Sequence, residues 1–386
     1  MRKEFLVFGK PVIQKEEINE VVDSLQSGWL STGPKVMKFQ EAFKEYIGSK
    51  YTVALNSCTA GLHLSMLVAG IGKGDEVITT PMTFAATANA IVHVGAKPVF
   101  VDIDRETMNI DPSLIERKIN QRTRAIIPVH FAGRPCEMDT IMKLKTKYNL
   151  TVIDDAAHAI ESEYKGRKIG VIADMTAFSF YVTKNLTTGE GGMVTTNNKK
   201  YARAMEALAL HGMSRGAWRR YSDKGFKHYE IIKPGFKYNM MDIQAAIGIH
   251  QLKRVNEYLR RRRRVWEMYD DAFRNLPLIR PAPQEKETTH ARHLYTILVE
   301  TEKLKVGRDR LQQALYEQNI GTGIHFISLH LHKYYRDRFG YKRSDFPNAE
   351  FVSDRTISLP LSAGLKDKDI LDVIAAVKKM MNKYSK

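Results

Sequence analysis

Residues 151–158 of the chain read Thr-Val-Ile-Asp-Asp-Ala-Ala-His, an apolar β-branched run that ends in two carboxylates. The apolar run is typical of a buried strand, and α/β proteins bind their ligands where such strands end. The stretch therefore predicts a strand whose acidic residues, Asp154 and Asp155, end at a ligand site, and because strand residues alternate sides, the two cannot both face the ligand. A carboxylate in this place could pair with a protonated ring nitrogen, whereas the stretch supplies too few ligands to predict a metal centre.

Six further strand-like runs surround this stretch and alternate with helical segments. The runs are residues 51–55, 76–79, 98–101, 125–129, 177–180 and 192–195. Such alternation predicts parallel strands joined by crossover helices, so the fold class is α/β. We expect a large α/β domain with a mostly parallel sheet over residues 1–250. A strand at 294–299 and helices at 306–318 and 366–381 predict a smaller α+β domain over residues 251–386.

The composition is that of an ordinary soluble protein, with 386 residues, 43% hydrophobic residues and 27% charged residues. A chain of this length buries a core without disulfides. The two cysteines, Cys58 and Cys136, exclude a disulfide-rich scaffold and a four-cysteine metal site. The sequence has neither a run of about 18 apolar residues nor the apolar core of a signal peptide at its start. We therefore expect a cytoplasmic protein with no membrane insertion.

The formal net charge of +17 makes nucleic acid, an anionic membrane surface or a phosphorylated substrate possible partners. The densest basic run is Arg260–Arg264. Apolar Leu252, Val255, Leu259 and Trp266 recur around it at helical spacing, so the run lies on an amphipathic helix. A solvated helix face or subunit edge is the expected role of the arginines, and a polyphosphate contact is the alternative. Nothing resembles a DNA-binding helix pair or an aromatic-basic RNA motif, so we expect no nucleic-acid partner.

Small hydroxyl residues begin a second candidate stretch, residues 56–61, which read Asn-Ser-Cys-Thr-Ala-Gly. The stretch lies between a predicted strand and an apolar helix. Free backbone N–H groups at such a helix start can bind a phosphate. Ordinary helix capping by Ser or Thr is the alternative that the sequence leaves open.

A lysine in a glycine-rich loop is the third candidate. Residues 178–192 read Phe-Ser-Phe-Tyr-Val-Thr-Lys-Asn-Leu-Thr-Thr-Gly-Glu-Gly-Gly and place Lys184 between two predicted strands. Neighbouring hydroxyl groups, and glycines that permit close backbone approach, favour a covalently reactive amine over a solvated charge. A plain surface lysine is the alternative.

Taken in this order, the three stretches resemble the DegT/DnrJ/EryC1/StrS family of pyridoxal-phosphate sugar aminotransferases. The resemblance extends over nearly the whole chain and includes residues 27–34, 74–78, 83–87, 125–130 and 238–246. It implies the fold-type-I aminotransferase architecture and pyridoxal 5′-phosphate as the cofactor. Two positions depart from the family pattern, because Cys58 stands where Gly or Ala is usual and Asp154 stands where Glu is usual.

The resemblance also implies roles for residues of all three stretches and for Phe84. Lys184 would bind the cofactor aldehyde covalently and then move a proton as a general base. Asp155 would keep the pyridine nitrogen protonated, and His158 would lie near the ring or its phenolic oxygen. Phe84 would stack on the ring, with core packing as its alternative. The residues implied to hold the phosphate are Thr59, Ala60 and Ser179.

The partner and substrate residues follow from the same resemblance. Asn239 would reach the cofactor phosphate of a neighbouring subunit, which implies a homodimer with shared active sites. His325 and His330 would lie near the sugar and nucleotide, with an ordinary role beside a loop as the alternative for both.

Residues 320–326 and 333–336 are most similar to the branch of the family that aminates UDP-4-keto sugars, as in the synthesis of UDP-4-amino-4-deoxy-L-arabinose. We therefore expect transfer of an amino group from L-glutamate to the 4-keto carbon of a UDP-sugar, for lipopolysaccharide or another cell-surface glycan. Alternatives are a TDP- or GDP-4-keto-6-deoxyhexose and a 3-keto sugar. A DNA-binding regulator would need a separate basic domain, and a related dehydratase would carry His in place of Lys184.

Overall fold

The predicted α/β pattern is confirmed in the computed structural model, which describes residues 2–214 and 229–386. The strands of its first two-thirds are β1 (Tyr51–Leu55), β2 (Glu76–Thr79), β3 (Lys97–Phe100), β4 (Thr123–Ile126), β5 (Thr151–Asp155), β6 (Glu163–Tyr164), β7 (Arg167–Lys168), β8 (Met175–Ser179) and β9 (Gly192–Thr196). Among the described residues, seven of these strands form one sheet in the order β1-β9-β8-β5-β4-β2-β3.

One strand of this sheet runs against the others. The pairs from β3 to β8 are parallel, whereas β9 pairs antiparallel with both β1 and β8. The expectation that crossover helices join all seven strands is therefore wrong for β9. A parallel return needs a crossover, usually a helix, and the segment between β8 and β9 contains none, so the chain reverses direction there.

Helices cover both faces of the sheet. Their bounds are α1 (Lys15–Ser27), α2 (Pro34–Ile47), α3 (Cys58–Val68), α4 (Ala85–His93), α5 (Met138–Tyr148), α6 (Lys199–Leu208), α7 (Asp242–Ala272), α8 (Arg308–Tyr316), α9 (Lys333–Phe339), α10 (Pro347–Arg355) and α11 (Asp367–Tyr384). Alternate strand residues enter different cores. Val152 packs with residues of α2, α5 and α7, while Ile153 packs with residues of α3, α4 and α6.

Helix α7 is 31 residues long and connects the two parts of the chain. At its start, the Asp242 carboxylate accepts hydrogen bonds from the N–H groups of Gly33 (2.8 Å), Lys35 (3.1 Å) and Val36 (3.0 Å). These N–H groups lie at the start of α2, where the helix itself offers no acceptors. The helix continues through residue 250 without a break, so the domain boundary expected there remains a prediction.

The C-terminal part packs around a small antiparallel sheet. Its strands are β10 (Leu278–Ile279), β12 (Tyr295–Val299) and β13 (Thr356–Leu359), and β11 (Thr288–Thr289) pairs instead with β6. The core beside this sheet combines the second half of α7 with α8 and α11. Leu6, from the opposite end of the chain, belongs to the same core and pairs with Ile320.

The basic run Arg260–Arg264 is indeed helical, but its arginines do not share one solvated face. Arg262 is buried and forms an ion pair with the buried carboxylate of Glu161. Arg261 and Arg264 pair with Asp367 of α11. The expected solvated face is therefore wrong for Arg262, because the turn of the helix directs that position into the protein.

The apolar helices are short or are interrupted by charged side chains. Across residues 2–214 and 229–386, no helix combines the length and the hydropathy that a membrane crossing requires.

Candidate active site

The lysine loop leaves the sheet at the carboxyl end of β8 and returns at the start of β9. Both ends are held by the backbone, because Phe180 N–H donates to Gly191 O and Thr188 N–H donates to Phe180 O, each at 2.9 Å. Lys184 N–H closes a turn on Tyr181 O, also at 2.9 Å. The structure thus fixes the backbone on both sides of the candidate amine.

Burial sets the acid–base behaviour of Lys184. It lowers the pKa of the amine to about 8, although the nearby Cys58 and Asp155 act in the opposite direction. An ordinary lysine has a pKa of about 10.4 and is almost fully protonated at neutral pH. A sizeable fraction of Lys184 is therefore unprotonated and nucleophilic under the same conditions.

Asp155 lies at the end of β5, within the electrostatic reach of Lys184. Its carboxylate accepts hydrogen bonds from Thr87 Oγ1 (2.7 Å) and from the N–H of Ala157 (3.1 Å). Burial raises the pKa of this carboxyl, while these two donors and the lysine oppose the rise. The carboxylate is held in one orientation and faces a positive neighbour.

Asp154 faces the other side of the strand. Its Oδ2 accepts a hydrogen bond from Thr176 Oγ1 (3.2 Å) and lies 3.5 Å from Nε2 of the buried His130. Neighbouring strand residues point to opposite faces of a sheet. Asp155 is therefore the carboxylate that lies with Lys184.

Three imidazoles accompany the lysine. The rings of His158 and His293 lie 4.3 Å apart, measured between centroids, and His325 Nδ1 lies 2.9 Å from Ser358 Oγ. Burial, together with the positive charge of Lys184, lowers the pKa of each imidazole, and that of His325 falls to about 3. All three rings are therefore neutral at physiological pH.

Aromatic rings extend this cluster toward the start of α4. Phe326 stacks on His158 with an angle of 16° between the ring planes, and the centroids of Phe326 and Phe84 are 6.3 Å apart. Phe84 is 66% exposed. Core packing, the alternative role for Phe84, is thus excluded, and its ring is free to cover another flat group.

The start of α3 differs from the expectation that Ala60 helps to hold the cofactor phosphate. The Ser57 side chain caps the helix and accepts the Ala60 N–H at 3.1 Å, so this amide is already occupied. The Thr59 hydroxyl remains exposed at the first turn. Amides of the first turn have no partner within the helix, so those of Cys58 and Thr59 suit an anion better than that of Ala60.

A glycine permits the strand that follows the lysine loop to approach this helix start. A Cβ on Gly192 would lie 2.4 Å from the carbonyl carbon of Ser57 and 2.5 Å from the Cys58 nitrogen. Ser179 ends β8 and pairs with Gly192 in register. Ser179, Gly192 and the start of α3 therefore lie side by side.

Asn239 lies beside β1, where its backbone forms a bridge with Leu55. Its side chain donates to Thr32 Oγ1 (2.7 Å) and accepts a hydrogen bond from Lys237. These contacts do not direct the amide toward the helix start of the same chain.

His330 is separate from the other histidines. Its Nδ1 lies 2.8 Å from Ser328 Oγ, and its Nε2 lies 3.0 Å from Glu350 Oε1. Burial lowers its pKa while Glu350 opposes this, and Lys184 is not among the groups that affect it. Both ring nitrogens of His330 are engaged inside the protein, so this side chain has no group left to bind a substrate. Of the two predicted substrate residues, only His325 remains a candidate.

Sequence reasoning missed His293, Asn185 and Thr87. Thr87 lies within the stretch 83–87, which is part of the resemblance. The residue that it contacts, Asp155, is 68 positions away in the sequence, so the contact had no local signal. His293 reaches the site from 108 residues beyond Asn185. Of the three, only Asn185 could have been found from the sequence, because it directly follows Lys184.

The comparisons with known proteins agree with this geometry. The model of the DegT/DnrJ/EryC1/StrS aminotransferase family matches residues 11–378, so the chain belongs to that family. Two curated relatives match it along almost their whole length. An uncharacterized protein of Methanocaldococcus jannaschii is 56% identical over 99% of each chain. The spore coat polysaccharide biosynthesis protein SpsC of Bacillus subtilis is 51% identical, covering 98% of this chain and 97% of SpsC.

Among solved structures, Spr1654 of Streptococcus pneumoniae, named as a sugar aminotransferase, has a TM-score of 0.90 and 35% identity over 98% of each chain. It has been solved in forms with pyridoxal phosphate and with pyridoxamine phosphate. The chain is accordingly a pyridoxal-phosphate-dependent sugar aminotransferase, with a sugar substrate and an amino donor.

The residues present fit this cofactor. None of the described residues donates to or accepts from Lys184 Nζ, which leaves the amine available to an aldehyde. The Asp155 carboxylate suits a protonated ring nitrogen, and the Thr59 hydroxyl and first-turn amides suit a phosphate. Phe84 offers an exposed aromatic face for the ring.

We predict that Lys184→Ala lowers turnover by roughly 1000-fold or more, because the variant loses both the covalent attachment and the general base. Absorbance spectra and borohydride reduction followed by mass spectrometry measure the attachment. A cofactor that is still reduced onto the variant protein would contradict the assignment of Lys184.

We predict that Asp155→Asn lowers activity by about 100-fold, because a neutral amide cannot hold a proton on the ring nitrogen. The matched control is Asp154→Asn on the opposite face of the same strand, for which we expect a loss below about tenfold. Steady-state kinetics of both variants give the comparison. Equal losses would show that the two faces of β5 are assigned incorrectly.

Proposed function

We propose that this enzyme transfers the amino group of L-glutamate to the 4-keto carbon of a UDP-sugar similar to UDP-4-keto-L-arabinose. The observation that carries the proposal is the position of His325. This residue belongs to the segment 320–326, whose sequence resembles the UDP-4-keto-sugar branch, and its imidazole lies within the electrostatic reach of Lys184. The segment that distinguishes the branch therefore borders the reacting centre.

Lys184 performs the proton transfer in this proposal. Because burial lowers its pKa to about 8, its amine can take a proton from the α-carbon of the amino donor and release it again near neutral pH. When bound, the cofactor supplies an electron sink for the carbanion that this proton transfer creates.

Asp155 and His158 provide fixed charge and fixed hydrogen bonding. The Asp155 carboxylate is held by Thr87 and Ala157, so its negative charge remains in place without rearrangement during the reaction. His158 accepts the Ala132 N–H at Nδ1 (3.2 Å), so the neutral ring carries its hydrogen on Nε2 and can donate it.

A cleft opens beside Lys184, and its lining includes Lys10, Gln251, Tyr258 and Ser362. Gln251 and Tyr258 are buried and already hydrogen-bonded within the protein. The exposed Lys10 and the hydroxyl of Ser362 suit the diphosphate and hydroxyl groups of a nucleotide sugar. The net charge of +17 favours approach of such an anion.

The proposed product serves a cell-surface glycan such as lipopolysaccharide. Support comes from SpsC, 51% identical to this chain, whose name assigns it to biosynthesis of the spore coat polysaccharide.

A substrate panel tests the proposal. The enzyme, purified with pyridoxal phosphate, is supplied with L-glutamate and UDP-, TDP- or GDP-linked 4-keto or 3-keto sugars, and release of 2-oxoglutarate is measured. We expect the highest kcat/KM with a UDP-4-keto sugar, at least about tenfold above its TDP counterpart if the nucleotide is recognised. Turnover of only a TDP- or GDP-sugar, or of only a 3-keto sugar, would overturn the branch assignment and leave the family unchanged.

We also propose that the enzyme is a homodimer with shared active sites. Helix α1 exposes Ile18, Val22 and Leu25 at helical spacing, with exposed fractions of 43–55%. Met241 is also exposed and follows Asn239 by two residues. A second copy of this chain would cover these apolar groups and bring Asn239 to the phosphate of the facing site.

Mixed dimers test this arrangement. Asn239→Asp places a carboxylate against the phosphate and should weaken cofactor binding, whereas Lys184→Ala removes the amine. When equal amounts of the two variants are unfolded and refolded together, half of the dimers are mixed and each contains one intact site. We expect activity of about a quarter of the wild type by the two-fold arithmetic. Activity no higher than the mean of the separate variants would mean that Lys184 and Asn239 of the same subunit serve one site, or that Asn239 does not contact the phosphate.

A further inference from the structure

Asn185, the residue after Lys184, has an amide group whose orientation is fixed by its neighbours. Its Nδ2 donates to Glu161 Oε2 (2.8 Å) and to Ala291 O (3.1 Å), both of which only accept hydrogen bonds. Glu161 is fully buried, and its other carboxylate oxygen, Oε1, is paired with the guanidinium of Arg262. The Asn185 oxygen must therefore point away from Glu161.

That oxygen determines the tautomer of His293. The distance between Asn185 Oδ1 and His293 Nδ1 is 2.9 Å, and an amide oxygen can only accept. Nδ1 of His293 therefore carries the hydrogen. Because burial and the surrounding positive charges lower the pKa of this imidazole well below its usual range, the ring is neutral and Nε2 bears a lone pair.

The neighbouring His158 has the opposite tautomer. Its Nδ1 accepts the backbone N–H of Ala132, and the carbonyl of Ala132 in turn accepts the backbone N–H of His293 at 3.0 Å. The two rings are thus anchored on the same backbone segment, 4.3 Å apart. One offers a hydrogen on Nε2 and the other a lone pair on Nε2, and the second ring contacts Asn185, the residue after Lys184.

We propose that His293 is a specificity-determining residue, whose Nε2 accepts a hydrogen bond from a sugar hydroxyl next to the carbon that receives the amino group. Asn185, Glu161 and Arg262 are positioning residues that hold the acceptor tautomer. The inference rests on the proposed sugar substrate but not on the nucleotide that the sugar carries.

A sugar hydroxyl fits this position better than a group of the amino donor. His293 is 5% exposed, and its Nε2 receives no hydrogen bond from residues 2–214 or 229–386. Because Nε2 keeps some contact with solvent, a substrate that displaces this water must offer a donor, since an unpaired polar group costs free energy. Sugar hydroxyls donate, whereas the carboxylates of the amino donor only accept and its amino group is engaged in the transfer itself.

The two half-reactions separate this role from a general structural one. Single-turnover absorbance measurements follow the donor half-reaction with L-glutamate and the sugar half-reaction with whichever keto sugar of the panel reacts fastest. His293→Phe keeps a ring against His158 but removes the lone pair. We expect a loss of about tenfold in the sugar half-reaction and less than twofold in the donor half-reaction.

Two further variants complete the design. His293→Gln retains an acceptor oxygen and should recover part of the lost rate, and it carries the test if the phenylalanine variant does not fold. Asn185→Ala should reproduce the loss for the sugar alone, and the double variant with His293→Phe should lose little more, because both changes remove one interaction. Equal losses in both half-reactions, or none in either, would overturn the proposal.

The tautomer is measured without any substrate. Nitrogen-15 spectra of histidine-labelled holoenzyme, assigned with the His293→Gln variant, should show Nδ1 of His293 protonated and Nε2 bare. Protonation at Nε2 would overturn the proposal even if the UDP-sugar assignment stands. A TDP preference in the panel would instead overturn that assignment and leave the role of His293 intact.

Discussion

The structure depends on keeping the lysine amine partly buried near a carboxylate, without a hydrogen-bond partner among residues 2–214 and 229–386. Such an amine is costly in a folded protein, and the cost appears as the lowered pKa of Lys184. Rigid surroundings of the amine compensate for this free-energy cost. The lysine loop is short, is bonded across its base between Phe180 and Gly191, and connects two paired strands of the sheet. The antiparallel return of β9 is thus part of what holds the amine.

The alternation of strand residues links the core to the chemistry. In β5, Val152 and Ile153 enter opposite cores, and Asp154 and Asp155 continue the same alternation to opposite faces. A shift of one residue would exchange the two carboxylates and also exchange the two apolar side chains between cores. The packing of the sheet therefore protects the position of the carboxylate that lies with Lys184.

Much of this was predictable because it follows from local patterns. Seven strands, the lysine loop between two of them and the placement of Asp154 and Asp155 on opposite faces follow from period-two alternation and from the ends of apolar runs, whereas the choice of Asp155 as the cofactor residue rests on the family resemblance. The direction of β9 was not predictable from those patterns, since a strand has the same signature in either direction. Arg262 belongs to a run of five arginines, and only the packing of α7 against Glu161 distinguishes it. His293 reaches the site through a contact between distant parts of the chain, for which one sequence gives no signal.

The unbroken length of α7 has a consequence for protein engineering. At 1.5 Å per residue, its 31 residues extend about 46 Å and join the core that contains Val152 to the core of the C-terminal part. A chimera that combines the sheet of one relative with the C-terminal part of another must inherit this helix intact, because a junction near residue 250 would mix two packing surfaces within one helix. Junctions in the connection after Ala272 would spare the helix, although they would still separate Arg262 from the backbone of Ala291 that it contacts. Exchange of sugar preference between relatives is therefore better attempted by replacing individual loops than by exchanging whole domains.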